Sequence, residues 1–98
     1  MAGSVKTITE RAIEILVEKE LAKATEKHSP MASSHEAYAV VKEEFDEWWE
    51  TIMANNRDPH HKLNGARELI QMAAMCHRAL FDVYTNEVTT LARQKGII

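Results

Sequence analysis

Glycine and proline are scarce in this chain and fall outside its long segments of periodic apolar residues. The 98 residues include three Gly and two Pro. Pro30, Pro59, Gly65 and Gly96 all lie between those segments or after the last one. Because Gly and Pro interrupt regular structure, this distribution favours a few long helices over many short strands. The sequence therefore predicts an all-α fold organised as a single domain, residues 1–98.

Helix boundaries are predicted from capping patterns. Thr7 with Glu10, and Ser33 with Glu36, have capping-box spacing, in which a hydroxyl and a carboxylate satisfy free amides of the first turn. Gly96 is placed to end the last helix. The predicted helices run from after Thr7 to about Lys27, from about Ser34 to Met53 and from about Ala66 to Gln94, with loops at His28–Ser33 and Asn55–Asn64.

The first predicted helix has apolar residues on much of its circumference. Such breadth suggests contact with more than one neighbouring helix, and one chain offers only three. We therefore expect a homodimer or homotetramer that forms four-helix-bundle-like units between subunits. A monomeric three-helix bundle is the alternative, because small domains bury only a modest core. The two apolar stripes are Ile8, Ala12, Ile15 and Ala22, and Ile13, Val17, Leu21 and Ala24.

Net charge, cysteine content and the absence of long apolar segments limit the partners and the cellular compartment that the sequence favours. The formal net charge is −3, with 15 acidic and 12 basic residues, which argues against binding to a nucleic acid polymer. Cys76 is the only cysteine, so an internal disulfide is impossible, as in many proteins of reducing compartments. The segment Met1–Lys6 has no signal-peptide core, and no apolar run approaches the roughly 20 residues that cross a bilayer. We expect a cytoplasmic protein without membrane contact.

Two carboxylates fall on the apolar side of the second predicted helix. On a helical wheel Glu44 lies inside the apolar sector, between Ala37 and Val40, and Glu47 lies at its edge. The two positions are three residues apart, so both side chains project from one face. Ionised carboxylates rarely enter an apolar face unless they are paired or coordinated, and two of them repel each other. Magnesium, which takes hard oxygen ligands, would remove both penalties.

The third predicted helix offers a further carboxylate. Glu68 follows the Asn55–Asn64 loop closely, as Glu47 precedes it. In an antiparallel hairpin the two reach similar heights, so Glu44, Glu47 and Glu68 are predicted to converge. The alternative is an ordinary solvated face, since glutamate is common in helices. In that case the carboxylates would pair with basic side chains of the same helices, namely Lys42, Arg67 and Arg78.

These residues resemble a known family. Glu43-Glu44-Phe45-Asp46-Glu47 is similar to the E-E-x-x-E motif of MazG-like, all-α nucleotide pyrophosphohydrolases, and Glu68-Leu69-Ile70-Gln71 to their second motif, E-x-x-D. The stretch from His35 to Asp82, roughly half the chain, especially resembles short single-domain members found in phages and prophages. The resemblance implies a MazG-type helical bundle of at least two subunits. It also implies magnesium-dependent hydrolysis of a nucleoside triphosphate to the monophosphate and pyrophosphate.

The resemblance also implies residue roles. Glu44, Glu47 and Glu68 match the acidic metal ligands that support catalysis. Gln71 stands where the family has aspartate; its carbonyl can still bind magnesium but adds no negative charge. Glu43 would assist the attacking water or remain solvated. Because of Gln71, a non-catalytic nucleotide-binding or protein-interaction module with a degraded metal site is the alternative function.

Substrate contacts are predicted from side-chain chemistry. Trp49 lies at the margin of the apolar sector and could stack on a base, whereas Trp48 belongs to the core; packing is the alternative role for both. Arg67, Arg78 and Lys62 are candidate phosphate contacts, with Lys62 in the loop, although the residue types alone favour an ordinary surface or ion-pair role for each.

The loop histidines and the cysteine are weaker candidates for a functional site. His60 and His61 are adjacent loop histidines without a nearby cysteine, which is poor support for a zinc site. Cys76 is predicted on the apolar side of the third helix, where thiols are usually inert.

Overall fold

The computed structural model describes residues 5–54 and 57–98, and this part of the chain contains helices and no strand. The helices are α1 (Val5–Lys27), α2 (Ser34–Met53), α3 (His61–Val83) and α4 (Thr85–Gln94). The all-α prediction is confirmed. The predicted count of three helices is wrong, because the described residues form a fourth. Helix α1 also begins before Thr7, which therefore lies within the helix rather than capping it.

The start of α2 is as predicted. The Ser33 hydroxyl accepts a hydrogen bond from the Glu36 amide at 3.1 Å. The Glu36 carboxylate in turn accepts from the Ala32 amide at 3.3 Å. The two contacts satisfy amides that have no partner within the helix, which fixes where α2 begins.

Helix α3 begins at His61, five residues before the predicted start. Asp58 explains the difference, because its carboxylate accepts from the His60 amide at 2.8 Å and from the Asn64 side chain at 3.0 Å. These bonds organise the first turn, so Asn64 and Gly65 are helical rather than part of a turn. The predicted loop is correspondingly shorter, and its residues Asn55 and Asn56 lie outside the described residues.

The predicted third helix is interrupted at Tyr84, although neither Gly nor Pro is present there. The side chains on either side of the break are held by the α1–α2 loop and the first turn of α2. Asp82 accepts from the Met31 amide at 2.9 Å, and the Tyr84 hydroxyl donates to Ser34 at 2.6 Å. Thr85 donates its hydroxyl to the Phe81 carbonyl, a local bond that competes with regular helix geometry.

Helix α4 ends as the sequence predicts, at a glycine in the left-handed region. Gly96 has φ of 72°. Its amide donates to the Arg93 carbonyl at 3.1 Å, and the Ile97 amide donates to the Ala92 carbonyl at 2.9 Å. This pair of bonds is the Schellman arrangement, and its positive φ strongly favours glycine.

Helix α3 is the centre of the fold. Helices α1 and α2 both pack against α3 and do not pack on each other, while α4 contacts only α3. The space between α1 and α2 is therefore open above α3. In the described part of the chain the core is small and contains no large side chain that is fully buried; its buried apolar residues are Ala24, Met31, Ala37, Ala74, Met75 and Ala79.

Many large apolar side chains remain exposed. Ile8, Ile13, Ile15 and Leu16 of α1 are between 38% and 58% exposed, so only the second half of α1 packs on α3. Within the described residues no helix combines the length and the apolar character needed to cross a membrane.

Candidate metal centre

Three glutamates from two helices converge at one point. Glu44 and Glu47 lie one turn apart on α2, and Glu68 lies in the second turn of α3. Each offers a carboxylate oxygen, and these atoms all lie within 4.8 Å of one another. Among the described residues this is the one acidic, histidine or cysteine cluster with that geometry. The convergence predicted from the sequence is therefore present.

Close packing of α2 against α3 sets this geometry. Gly65 is buried at the crossing, where a Cβ atom would lie 3.3 Å from the Thr51 hydroxyl and 3.8 Å from Trp48 Nε1. A Cβ at this position would require the Thr51 side chain to shift by a few tenths of an ångström. Glu68 lies one turn after Gly65, and Glu47 precedes Trp48, so the contact that needs glycine holds the carboxylates at matching heights.

The cluster is shielded from solvent on one side. One oxygen of Glu44 and one of Glu68, the Oε2 atom in each case, are buried and have no hydrogen-bond partner. Such groups are uncommon in folded proteins, because removing a carboxylate oxygen from water without a partner is costly. Coordination to a cation would supply the missing partner.

The pKa values reflect this environment. The pKa of Glu44 is raised to about 7, first by burial and then by the negative charges of Glu47 and Glu68. Burial is also the main cause that raises the pKa of Glu68; Glu47 raises it further, and Arg67 opposes the change. Mutual repulsion of this kind is relieved when a divalent cation binds.

The alternative arrangement, a solvated face of ion pairs, is not formed. Lys42 pairs with Asp46 at 2.9 Å, and Arg67 donates to the Asn64 side chain at 3.0 Å. None of the salt bridges between described residues includes a glutamate of the cluster. A set of three carboxylate oxygens is the chemistry that magnesium prefers, so the residues present fit this ion.

A cleft of about 580 Å³ adjoins the cluster. Helix α1 forms one wall, α2 the opposite wall, and α3 the floor, which contains Gln71, Met75 and Arg78. Glu43 and Glu44 both line the α2 wall. Glu43 is exposed, as its wheel position indicates, and Gln71 is half-buried and lines the same cleft as Glu44. The cleft is open to solvent and large enough for several phosphate groups.

The predicted substrate contacts are only partly brought together. Arg78 lines the cleft, but it is 6% exposed, and its guanidinium donates to the Ser29 carbonyl at 2.8 Å. Lys62 was placed in a loop; it is instead an exposed residue in the first turn of α3, because Asp58 starts the helix early. Lys62, Arg67 and Trp49 do not line the cleft, and Trp49 is 54% exposed.

Two basic residues of the cleft were missed by sequence reasoning. Lys23 and Lys27 of α1 lie on the wall opposite Glu43 and Glu44. Their spacing of four places them on one helix face, but nothing in the sequence indicates that this face turns toward the carboxylates. The packing of α1 on α3 decides it.

The minor candidates stand as follows. Cys76 is exposed rather than covered, because the side of α3 on which it lies is itself uncovered in the chain. His61 Nδ1 lies 3.2 Å from the Asp58 carbonyl, a contact with the turn that precedes α3. Neither His60 nor His61 belongs to the carboxylate cluster.

Comparison with known proteins returns no match to any family model, curated protein or solved structure. The resemblance to MazG-like enzymes therefore stays a prediction, carried by the motif residues quoted above.

Proposed function

We propose that this protein is a magnesium-dependent nucleoside triphosphate pyrophosphohydrolase, which releases a nucleoside monophosphate and pyrophosphate. The observation that carries the proposal is the convergence of Glu44, Glu47 and Glu68, with two buried carboxylate oxygens that lack partners. Two such oxygens beside an open cleft favour a site that binds a cation together with a ligand over a structural ion-pair network. The motif resemblance supports the same reaction.

Each residue has a defined task in this proposal. Glu44, which lines the cleft, would hold the cation together with Glu47 and Glu68, which do not line it, and the Gln71 carbonyl would be a further oxygen ligand. When bound, magnesium neutralises charge on the phosphate oxygens and lowers the pKa of bound water. Glu43 is exposed on the same wall and accepts a proton from the water that attacks the α-phosphorus. Nucleoside triphosphates are abundant in the cytoplasm, and the proposal places the protein there.

A panel of ribo- and deoxyribonucleoside triphosphates, incubated with and without magnesium, tests this function. We expect magnesium-dependent formation of pyrophosphate and monophosphate in equal amounts, and its loss in Glu44→Gln. Glu18→Gln is the matched control, since Glu18 is an exposed residue of α1 that does not line the cleft. Release of phosphate rather than pyrophosphate, or equal activity in both variants, would overturn the proposal.

A second candidate is a nucleotide-binding module without turnover. Gln71 favours it, because an uncharged residue in the same cleft as Glu44, where the motif resemblance expects aspartate, lowers the negative charge available to hold the cation. This candidate predicts that magnesium and nucleotide bind to the wild-type protein without pyrophosphate release from any nucleotide in the panel.

We also propose that the chain assembles with copies of itself. Leu69, Ala73, Cys76 and Leu80 of α3 are exposed and recur at spacings of four, three and four, as in helices that pack along a seam. On α2, Tyr38 and Phe45 are 69% and 52% exposed and line one groove together with Tyr84. We name this set, with Tyr84, the outer face.

Surface area supports the same proposal. The accessible surface is 7696 Å², whereas a compact monomer of this mass exposes about 5,700 Å². The difference is of the size that obligate dimers bury. Two copies of the α2–α3 pair joined through their outer faces would give four helices around one core, in a homodimer or homotetramer.

A further inference from the structure

The wall of the cleft formed by α1 is rich in lysine. Lys23 and Lys27 are one turn apart and both line the cleft, whereas Lys19, the next residue in the same series, does not. Lys23 lies 3.9 Å from Glu20, and its side chain is 60% exposed. A surface pair at that distance contributes little, so Lys23 remains able to bind an anion.

The opposite wall of the cleft is acidic. Glu36, Glu43 and Glu44 of α2 face the space that α1 borders. No salt bridge joins the two walls among the described residues, because α1 and α2 pack on α3 and not on each other. Glu20 of α1 also lines the cleft, but the two lysines leave the α1 wall with a net positive charge, across about 580 Å³ of open space from the α2 carboxylates.

This separation of charge matches a particular kind of ligand. A phosphoanhydride chain that chelates a divalent cation has the cation on one side and free phosphate oxygens on the other. The cation fits the α2 and α3 carboxylates, and the remaining oxygens fit the ammonium groups of α1. Arg78 is less available for this task, because its guanidinium already binds the Ser29 carbonyl.

We propose that Lys23 and Lys27 bind the phosphates of the substrate that leave as pyrophosphate, across the cleft from the cation held by Glu44, Glu47 and Glu68. The inference rests on the proposed function and deepens it by assigning a phosphate-binding wall to α1. Sequence reasoning had assigned phosphate contact to Lys62, Arg67 and Arg78, none of which belongs to α1.

The test replaces each lysine with methionine, which keeps the length and apolar stem of the side chain and removes its charge. Lys23→Met, Lys27→Met and the double variant are compared with Lys19→Met, a control on the same helix outside the cleft. Binding of inorganic tripolyphosphate with magnesium is measured by titration calorimetry, and kcat/KM by pyrophosphate release. Circular dichroism checks that each variant retains its helices.

We expect Lys23→Met and Lys27→Met each to reduce tripolyphosphate affinity and kcat/KM by about tenfold, as for the loss of a charge-assisted contact at a partly exposed site. The double variant should lose about a hundredfold, and Lys19→Met should match the wild type. Unchanged affinity in the double variant, or an equal loss in Lys19→Met, would overturn the inference.

The two proposals fail separately. If tripolyphosphate binding depends on the two lysines but no nucleotide releases pyrophosphate, phosphate binding by Lys23 and Lys27 is supported and the proposed enzymatic activity is rejected. If the double variant releases pyrophosphate as fast as the wild type, the enzymatic activity is supported and phosphate binding by Lys23 and Lys27 is rejected. Phosphate binding by Lys23 and Lys27 would also be rejected if the wild-type protein bound no tripolyphosphate in the presence of magnesium.

Discussion

Glu44 and Glu68 come from different helices, yet each has one carboxylate oxygen buried without a hydrogen-bond partner, within the same cluster. Neither is paired with a basic residue, so in the absence of a cation the fold holds unfavourable charge at this point. A cation would convert this unfavourable element into a binding site, and several measurable consequences follow from that.

The first prediction concerns the pH dependence of stability without metal. The pKa of Glu44 is about 7 in the folded protein, above the value of about 4.3 in an unfolded chain. The folded state therefore binds more protons between these values, so this contribution to stability is complete below the unfolded pKa and is lost as pH rises through 7. In EDTA, Glu44→Gln should be more stable than wild type at pH 8, by about 1 kcal/mol after allowance for solvent screening.

Urea unfolding at pH 5 and pH 8 measures this effect. The difference between wild type and Glu44→Gln should be clearly smaller at pH 5 than at pH 8, because pH 5 lies only slightly above the unfolded pKa, where the loss of stability begins. The control Glu18→Gln should track the wild type at both values. If Glu44→Gln instead lowered stability at both values, Glu44 would have a structural partner, and the cluster would not be a metal site.

The second prediction concerns Gly65, which sets the approach of α2 to α3. Alanine at this position should gain about 1 kcal/mol of helix propensity, but its Cβ would lie 3.3 Å from the Thr51 hydroxyl. Overpacking at such contacts costs about 1–3 kcal/mol, so we expect Gly65→Ala to lower the free energy of unfolding by up to about 2 kcal/mol. Magnesium affinity should fall with it, because the carboxylates move apart.

A second substitution isolates the cause. Thr51→Ala removes the oxygen that the new Cβ would meet, so the double variant should recover most of the lost stability and magnesium affinity. Urea unfolding and calorimetric titration with magnesium provide the two measurements. If Thr51→Ala gave no recovery, the contact at Gly65 would not be what holds the glutamates together.

The third prediction assigns a structural role to Arg78. Its guanidinium binds the Ser29 carbonyl and lies 3.8 Å from Asp82, which itself binds the Met31 amide. Arg78→Ala should cost about 2–4 kcal/mol in thermal or urea unfolding, because it leaves Asp82 uncompensated and frees the α1–α2 loop. Arg67→Ala, at an exposed position, should stay within about 0.5 kcal/mol of wild type. Full stability with loss of tripolyphosphate binding would make Arg78 a phosphate ligand instead.

These residues also show how far sequence reasoning reaches. Glu44, Glu47 and Glu68 could be predicted because helical spacing, the loop between α2 and α3 and the motif all point to one location. The break at Tyr84 could not be predicted, since it depends on hydrogen bonds between residues that are distant in sequence. These bonds run from Tyr84 to Ser34 and from Met31 to Asp82. Similarly, Gly65 looks like a turn residue until Asp58 is known to start the helix before it.

The position of Lys23 and Lys27 on the wall of the cleft could not be predicted from the sequence for a related reason. Capping and periodicity describe a single helix, whereas the face of α1 that borders the cleft is chosen by its packing on α3. Lys23 and Lys27 are indistinguishable in the sequence from the surface lysines around them. Conversely, Lys62 was favoured by its proximity to the motifs along the chain, and this does not bring it to the cleft.

The fourth prediction tests the outer face. Leu80 is 51% exposed and lies on the uncovered side of α3, in its last turn. Leu80→Glu should shift the protein from oligomer to monomer and lower the midpoint of thermal unfolding, as measured by light scattering after size exclusion and by circular dichroism. Ile98→Glu, at an exposed position beyond α4, is the control and should leave the mass unchanged. A wild-type protein that is monomeric at high concentration would contradict the proposed assembly.

The last prediction concerns Gln71, which lines the same cleft as Glu44. Gln71→Asp adds a charged oxygen ligand where the motif resemblance expects aspartate, so magnesium affinity should rise about tenfold or more. A fourth carboxylate increases repulsion in the absence of metal, so stability in EDTA should fall by about 1 kcal/mol. Gln71→Asn, which keeps the amide, is the control and should show neither gain in affinity nor loss of stability. If pyrophosphate release also rises in Gln71→Asp, the glutamine limits catalysis in this chain. If affinity rises while no nucleotide is hydrolysed, the cluster is a cation site in a binding module, and the enzymatic proposal is wrong.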